Sequence, residues 1–475
     1  MLEYESLLVI PIANDIFTEV IDMQNDMTEG AITPKLIKFT IPLVLGNLFQ
    51  LTYNAIDTII VGRYVGKNAL AAVGSSGPIM NMAILFISGM CMGAGILMSS
   101  KYGAKKYDEL NRQISTTMIG GLIFSIVLSL IMFIIAKPVL VIMNVPDEIL
   151  YDSSVYLKVV FAGLIFTFIY NFFSQTMRAL GDSKTPLYFL IISSVINAVG
   201  DLFFVVTLNM GVFGSAISTV LSELISCILC IIYVKYKIPL LHLGKKWLVF
   251  EKSIMVTTFR YSITSALQQM CIQLGKVVVQ VVINAKGPAF IAAYTAINKI
   301  DDFTVTPQQN IAHAMTTFIA QNRGAGEKER EREGFKCGIK IELAYSLILC
   351  IVTYLCSDML MGLFVKSNET EVISLGVSYL KLISVMYFLP GITNGVQGFF
   401  RGIGDLKVTL YSTMTNMFFR ALSAYIFISL LSMKFNSLAL ANMTGWIFML
   451  IFELPLLFKC IKTMSHTSLH KSMRD

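Results

Sequence analysis

The sequence carries little charge for its length. Only 14% of its 475 residues are Asp, Glu, Lys or Arg, whereas soluble globular proteins carry roughly 25%. Hydrophobic residues make up 55% of the chain, mean hydropathy is +0.70, and the apolar residues stand in long blocks rather than amphipathic stripes. This composition excludes a large soluble protein and predicts a chain that crosses a membrane many times.

Cysteine and histidine are too few and too scattered to build a disulfide framework or a metal centre. Most of the eight cysteines lie inside apolar runs, where cysteine behaves as a small hydrophobic residue. The four histidines supply neither a metal-binding cluster nor a nucleophile–base pair, and we interpret His313 as a hydrogen-bonded packing residue. The sequence therefore argues against an enzyme, and we expect no cofactor.

The basic residues indicate topology rather than nucleic-acid binding. The net charge is +7, but Lys and Arg are concentrated in alternate short loops between apolar runs. The positive-inside rule places these loops, and both termini, in the cytoplasm. The basic loops contain Lys101, Lys105, Lys106 and Arg112, then Arg178 and Lys184, then Lys235, Lys237, Lys245, Lys246 and Lys252, then Arg323, Lys328, Arg330, Arg332 and Lys336, then Arg401 and Lys407.

Apolar runs of about 20 residues predict twelve membrane-spanning helices. They lie near residues 36–61, 70–99, 113–136, 153–177, 185–207, 212–235, 254–284, 288–320, 337–357, 372–399, 406–431 and 437–460. We interpret residues 1–26 as an amino-terminal extension that is disordered or precedes the true start. The other expected divisions are an amino-terminal lobe 27–235, a cytoplasmic connecting loop 236–252, a carboxyl-terminal lobe 253–462 and a cytoplasmic tail 463–475.

The chain repeats itself after about 220 residues. Residues 178–188 and 401–411 share the pattern Arg-x-x-Gly-Asp-x-Lys, and each follows the fourth helix of its half. An even number of helices in each half keeps both halves in the same orientation, so the repeat axis runs along the membrane normal. The predicted fold class is therefore an all-α polytopic membrane protein with twelve transmembrane helices in two six-helix lobes and a cavity between them.

Acidic residues inside apolar helices are candidates for function, because a carboxylate in hydrocarbon is costly. Asp57 lies on the first helix, and Asn197 and Asp201 share one face of the fifth at i, i+4 spacing. Thr219 and Glu223 have the same spacing on the sixth. These oxygen atoms suit a sodium ion or a shared proton. The sequence leaves open whether Glu223 faces the cavity or pairs locally.

One face of the first helix is polar and contains a proline, which weakens the helix and allows it to bend. Its residues recur every three or four positions: Pro42, Gly46, Gln50, Tyr53 or Asn54, and Asp57. We expect this face to line the cavity.

The seventh helix is expected to add Gln268, Gln269 and Gln273 to the cavity wall. Lys276, at about the position that matches Asp57 in the repeat, is expected to pair with Asp301 or Asp302 of the eighth helix, because such a pair neutralises buried charge.

With these residues in view, the chain resembles the MATE (multidrug and toxic compound extrusion) family from about Met27 to Lys462. The motifs that carry the resemblance are Ile41-Pro42, residues 54–63, the two Arg-x-x-Gly-Asp-x-Lys segments, and residues 320–326. The resemblance is closest to the DinF branch, which implies an ion-coupling site at Asp57, Asn197, Asp201 and Thr219. The NorM branch instead implies acids on the seventh and tenth helices, which are absent here.

The resemblance implies a secondary active antiporter that exports small cationic amphipathic molecules through a bacterial cell membrane in exchange for protons or sodium. It implies alternating access, a lipid bilayer around the protein, and a functional monomer. The alternative within the same superfamily is a lipid-linked glycan flippase. That function needs a cavity rich in Arg or Lys, and Lys276 is the only basic residue that the sequence offers for the cavity.

Overall fold

The computed structural model describes residues 26–238, 248–366 and 368–472, without the side chains of Asn54 and of residues 464–472. The interpretations of residues 1–25, of most of the connecting loop and of the last three residues therefore lie outside the described part. No β-strand occurs in the described ranges, which are helical almost throughout.

The described chain forms twelve long helical segments, in agreement with the all-α prediction. The amino-terminal half contains α1 (Ile32–Tyr64), α2 (Lys67–Gly103), α3 (Tyr107–Ile142), α4 (Asp147–Ala162 and Leu164–Ala179), α5 (Lys184–Asp201, continued by the π-helical turn Leu202–Thr207) and α6 (Gly211–Lys237). The carboxyl-terminal half contains α7 (Lys252–Asn284), α8 (Pro288–Ala325), α9 (Lys328–Leu355), α10 (Thr370–Ser384 and Phe388–Gly402), α11 (Leu406–Ala424, continued by Tyr425–Leu430) and α12 (Ser437–Ser472). A short helix, Ser357–Gly362, joins α9 to α10.

Several helices are longer than the apolar runs that predicted them. The third was expected over 113–136, but α3 extends from Tyr107 to Ile142. The difference has a physical reason. Hydropathy marks only the segment in hydrocarbon, whereas backbone hydrogen bonding continues into the polar layer. Within the described residues, eight helices are long and apolar enough to span a membrane, and the bent pairs of α4 and α10 bring the number to ten.

The internal repeat is visible in the irregular parts of the helices. α4 bends by 45° and α10 by 56°, and α5 and α11 both end in a π-helical turn. Gly181 and Gly404, at matching places in the repeated motif, both have a positive φ, +91° and +85°. Only glycine adopts such angles without strain, so the same turn follows α4 and α10.

Helix α1 packs against both lobes. Its first half contacts α8 and α9, and Leu36, Phe39 and Leu43 are buried there. In the amino-terminal lobe the helix packs against α5, α2 and α6, and Val61 in its second half is fully buried. Between these regions, Asn47 Nδ2 donates a hydrogen bond of 3.0 Å to an asparagine of α8. A movement of α1 therefore changes its packing against both lobes.

The two lobes meet closely at the end of the bundle that carries the basic loops, which we call the basic end. A Cβ added to Gly103 would lie 1.9 Å from the carbonyl oxygen of Gln321, and one added to Gly324 would lie 1.9 Å from that of Ser100. Across the same contact, Gln321 Nε2 donates to the carbonyl oxygen of Ala179 at 2.8 Å. Two glycines at matching places in the repeat thus allow α2 and α8 to cross backbone against backbone.

Toward the opposite end, α2 is not crowded in this way. A Cβ added to Gly74 or Gly77 would meet no atom within 4 Å. The space between the lobes is therefore closed at the basic end.

Candidate functional site

A cavity of about 490 Å³ lies between the two lobes. Pro42, Gln50 and Tyr53 of α1 line it, together with Gln273 of α7. The first helix therefore presents to the cavity the face that its sequence pattern indicated. The side chain of Asn54 lies outside the described part of the structure.

Gln268 does not lie on the cavity wall as the sequence analysis expected. Its Nε2 donates to Gln397 Oε1 at 2.9 Å and to Thr413 Oγ1 at 3.1 Å, in a buried contact with α10 and α11. Gln268 lies five positions before Gln273, which corresponds to a rotation of about 140° around a helix. Gln269, one turn before Gln273 and expected on the same face, does line the cavity.

Asp57 and Asp201 come together inside the amino-terminal lobe, behind the cavity wall. Asp57 is 9% exposed and Asp201 is fully buried. Ser215 Oγ donates to Asp57 Oδ1 at 2.8 Å. The Asp201 carboxyl lies against that of Asp57 and has no well-formed hydrogen bond to another group among the described residues. Two carboxyl groups so placed cannot both stay ionised without a cation between them.

Asn197 and Thr219 lie beside this carboxyl pair. Asn197 Nδ2 lies 3.4 Å from Thr219 Oγ1 and 3.3 Å from Ser218 Oγ, and Ser218 Oγ donates to the Asn197 carbonyl oxygen at 2.8 Å. The structure thus brings together all four residues proposed for ion coupling. Their carboxylate, amide and hydroxyl oxygens are the groups that a proton or a hard cation prefers.

Ser215 and Ser218 also belong to this site, although they were not predicted from the sequence. Both lie on α6, where hydroxyl residues recur at helical spacing at positions 215, 218, 219 and 222. This periodicity could have identified them. Small hydroxyl residues also mediate ordinary helix packing in membranes, however, and the pattern gives no reason to prefer function over packing.

Glu223 faces the cavity and is also bonded locally. It belongs to the cavity lining, and its carboxylate accepts a hydrogen bond from the hydroxyl of Thr167 on α4. Glu223 lies one helical turn after Thr219 on α6. The sequence left open whether Glu223 faces the cavity or pairs locally, and in the structure its side chain does both.

The expected charge pair of the carboxyl-terminal lobe forms between Lys276 and Asp302. Lys276 Nζ lies 3.5 Å from Asp302 Oδ1, and both side chains are more than a third exposed to the cavity. Asp301 accepts a hydrogen bond of 3.3 Å from the hydroxyl of Tyr387 and lies within the field of Arg420. These groups form a polar wall opposite α1.

The cavity contains more basic groups than the sequence predicted. Arg178, Lys276 and Arg420 line it, against the acids Glu223, Asp301 and Asp302. Arg178, predicted to lie in a basic loop, lies in the last turn of α4. The hydropathy pattern could not locate it, because it shows where apolar residues stop but not which way the last side chains point.

His313 also lines the cavity. Its Nδ1 lies 3.3 Å from Arg401 Nη1, so the expected hydrogen bond is present, but the ring lies at the cavity surface rather than only in helix packing.

The MatE family model matches this chain twice, over residues 42–203 and 264–426, and the two matches together cover more than half of it. The chain belongs to the MatE family. The two matched segments begin 222 residues apart, which agrees with the internal repeat. As a MATE family member, the protein is a multi-pass membrane transporter rather than an enzyme.

Relatives of this MATE protein are known from bacteria. The probable multidrug resistance protein YoeA of Bacillus subtilis is 29% identical over 359 residues, which are 74% of this chain and 77% of the relative. The multidrug export protein MepA of Staphylococcus saprophyticus is 21% identical over 370 residues, 78% of this chain and 81% of the relative.

A solved structure has the same fold. It is described as the outward-facing conformation of a multidrug resistance MATE family transporter of the MOP superfamily. It has a TM-score of 0.87, covers 93% of this chain and 98% of its own, and is 21% identical. Its two-lobed arrangement of twelve helices is the arrangement found here.

Proposed function

We propose that this protein is a drug efflux antiporter, which exports small organic cations in exchange for protons or sodium ions. One observation carries the proposal: the buried carboxyl pair Asp57–Asp201 lies beside a polar cavity between two lobes. Asp57 is one helical turn from Tyr53, which lines that cavity. The names of the relatives, which include multidrug resistance and multidrug export proteins, support the same class of substrate.

The first helix connects the ion to the substrate. Asp57 lies on the half of α1 that packs in the amino-terminal lobe, whereas the other half packs against α8 and α9. When a proton or sodium ion neutralises the carboxyl pair, the packing of the second half changes. Pro42, inside α1, leaves one backbone carbonyl without its helical donor, so the helix can bend there.

Such a bend changes the shape of the cavity that Pro42, Gln50 and Tyr53 line. The ion and the substrate therefore bind unequally to the two shapes, which is the condition for coupling.

The basic end is assigned to the cytoplasm by the positive-inside rule. With the lobes in contact at Gly103 and Gly324, the structure then corresponds to a state closed to the cytoplasm. In this state the ion enters from outside and the substrate leaves. Both lobes, the cavity and the carboxyl pair belong to one chain, so we expect a functional monomer.

The cationic substrate is expected at the acids of the cavity, Glu223, Asp301 and Asp302. The alternative, a lipid-linked glycan flippase, needs an excess of basic groups for a pyrophosphate. The cavity holds three basic and three acidic side chains, in addition to His313. This balance disfavours the flippase.

The proposal is tested with the purified protein in proteoliposomes that contain a fluorescent organic cation. A proton gradient and a sodium gradient are imposed separately, each with the membrane potential clamped. We expect the dye to move against its own concentration gradient when one of the two ion gradients is imposed. We expect no such movement when both ion gradients are absent. Dye movement that is independent of both gradients, or movement of a lipid-linked pyrophosphate only, would overturn the antiporter assignment.

A further inference from the structure

The wall of the cavity is unusually polar. Twelve amide side chains line it, whereas its aromatic residues are three tyrosines and one tryptophan. The chain has 32 phenylalanines, but none belongs to the lining formed by the described residues. Ligand pockets are usually lined mainly by apolar and aromatic side chains. A cavity rich in amides fits a molecule that carries several hydrogen-bonding groups rather than a purely lipophilic cation.

The charges of the cavity are separated along the membrane normal. Glu223 is bonded to Thr167 in the middle of α4, whereas Arg178 lies in the last turn of the same helix, at the basic end. Eleven residues of helix between Thr167 and Arg178 correspond to about 16 Å. The cavity is thus acidic in its middle and basic at its closed base.

Arg178 differs from the other basic residues of the cavity, because it has no acidic partner among the described residues. Lys276 pairs with Asp302, and Arg420 faces Asp301. In the described part of the chain neither arginine has a carboxylate within 4 Å or a hydrogen-bond partner for its Nε. They differ because Arg420 lies within the field of Asp301, whereas no Asp or Glu acts on Arg178. A guanidinium offers five donors in one plane, an arrangement that matches a carboxylate.

His313 adds a second hydrogen-bond donor at the closed end of the cavity. Arg401 Nη1 lies 3.3 Å from His313 Nδ1, and a guanidinium can only donate. Nδ1 therefore accepts, and the ring proton resides on Nε2. The guanidiniums of Arg178 and Arg401 both act on His313, and only Arg401 faces a carboxylate, Glu453. The base of the cavity consequently carries a positive potential and polar N–H groups.

We propose that this base is an anion-binding subsite, in which Arg178 and His313 hold the carboxylate of a zwitterionic substrate. The ammonium group of the same molecule lies toward Glu223, in the middle of the cavity. The proposal rests on the proposed function, since it deepens the description of the exported molecule. It also gives a role to the arginine of the repeated motif, which topology alone did not explain.

The test uses two dyes that differ only at the proposed contact: rhodamine B, which carries a carboxylate and a cation, and its ethyl ester, which carries the cation alone. Their affinities for the purified protein are measured by fluorescence anisotropy in nanodiscs. We expect Arg178→Gln to weaken binding of the acid about tenfold or more, as for a lost charge-assisted hydrogen bond, and to change ester binding less than twofold. Arg178→Lys, which keeps the charge, should recover part of the acid affinity, and His313→Leu should weaken the acid alone by several-fold.

Arg420→Gln is the matched control, because it removes a guanidinium of the same cavity that already faces an acid. It should not discriminate between the two dyes. The proposal is overturned if Arg178→Gln affects acid and ester equally, if it affects neither, or if Arg420→Gln alone separates them.

Binding needs no ion gradient, whereas gradient-driven movement of the ester tests the antiporter assignment by itself. If the ester is transported but Arg178→Gln does not weaken binding of the acid selectively, the subsite is overturned and the antiporter assignment stands. If Arg178→Gln weakens binding of the acid selectively but neither dye is transported under a gradient, the antiporter assignment is overturned and the subsite stands.

Discussion

At the scale of single residues, the cost of burying charge explains what the sequence could predict. Asp57 and Asp201 were identified because carboxylates rarely occur in apolar helices without a function, and they lie together in the structure. Ser215 and Ser218 were not identified, because small hydroxyl residues are common in helix packing. Arg178 was placed in a loop, because a composition pattern does not show where a side chain points.

The hydrogen bond from Ser215 to Asp57 offers a test at this scale. Ser215→Ala removes a donor to a buried carboxyl group, a bond worth about 1.5–3 kcal/mol when the acceptor is charged. We expect the ion concentration for half-maximal export to shift about tenfold or more. Ser222→Ala is the control, because the Ser222 hydroxyl bonds a backbone carbonyl of its own helix. Equal behaviour of the two variants in a transport titration would show that Ser215 has no part in ion binding.

At the scale of helices, α1 is the element that links the ion site to the cavity, because it packs against both lobes. Its polar face was readable from a three-to-four-residue spacing. Its contacts with α8 and α9 were not predictable, since hydrophobic residues such as Leu36 and Phe39 do not indicate which neighbour they meet. The error at Gln268 has a related origin, because two residues five positions apart cannot share a helical face.

The proline of α1 provides a prediction about bending. Pro42→Ala restores the backbone donor and stiffens the helix. We expect substrate binding within about twofold of the wild-type value and a loss of at least tenfold in export rate, measured in proteoliposomes. Pro138→Ala, inside α3 and absent from the cavity lining, should leave export unchanged. An export rate for Pro42→Ala equal to that of the Pro138 variant would exclude bending at Pro42 from the transport cycle.

The crossing of α2 and α8 gives a second prediction at this scale. Gly103→Ala places a methyl group 1.9 Å from a backbone oxygen, so the two helices must separate at the basic end. We expect a membrane-impermeant maleimide, added from the basic side, to label a cysteine introduced at Ser88 in the cavity faster than in the parent protein. Gly74→Ala has open space around it and should not change labelling. The same labelling rate in both variants would contradict the role of this contact as a seal.

At the scale of the whole molecule, the two halves share a fold but not a chemistry. The repeat was predictable from the Arg-x-x-Gly-Asp-x-Lys segments, and the bends of α4 and α10 and the π-helical ends of α5 and α11 bear it out. The carboxyl pair lies in the first half. The second half has the Lys276–Asp302 pair on the cavity wall. We therefore expect the amino-terminal lobe to couple the ion.

This asymmetry is tested by removing the second pair as a unit. The variant Lys276→Gln with Asp302→Asn keeps the net charge of the cavity, because it removes one charge of each sign. We expect the number of ions exchanged per substrate to stay the same, measured by reversal potential in proteoliposomes, while substrate affinity changes only a few-fold. A changed number of ions would show that the carboxyl-terminal lobe also takes part in coupling.

The central claim is that the carboxyl pair of Asp57 and Asp201 couples an ion gradient to export. It is tested most directly by comparing gradient-driven export with dye counterflow in proteoliposomes that contain Asp201→Asn. The substitution removes the ionisable group while conserving shape. Counterflow, in which internal and external dye exchange without an ion gradient, should persist, whereas gradient-driven export should be abolished. Asp358→Asn, at an exposed acid, should retain both activities. Full gradient-driven export by Asp201→Asn would contradict the account.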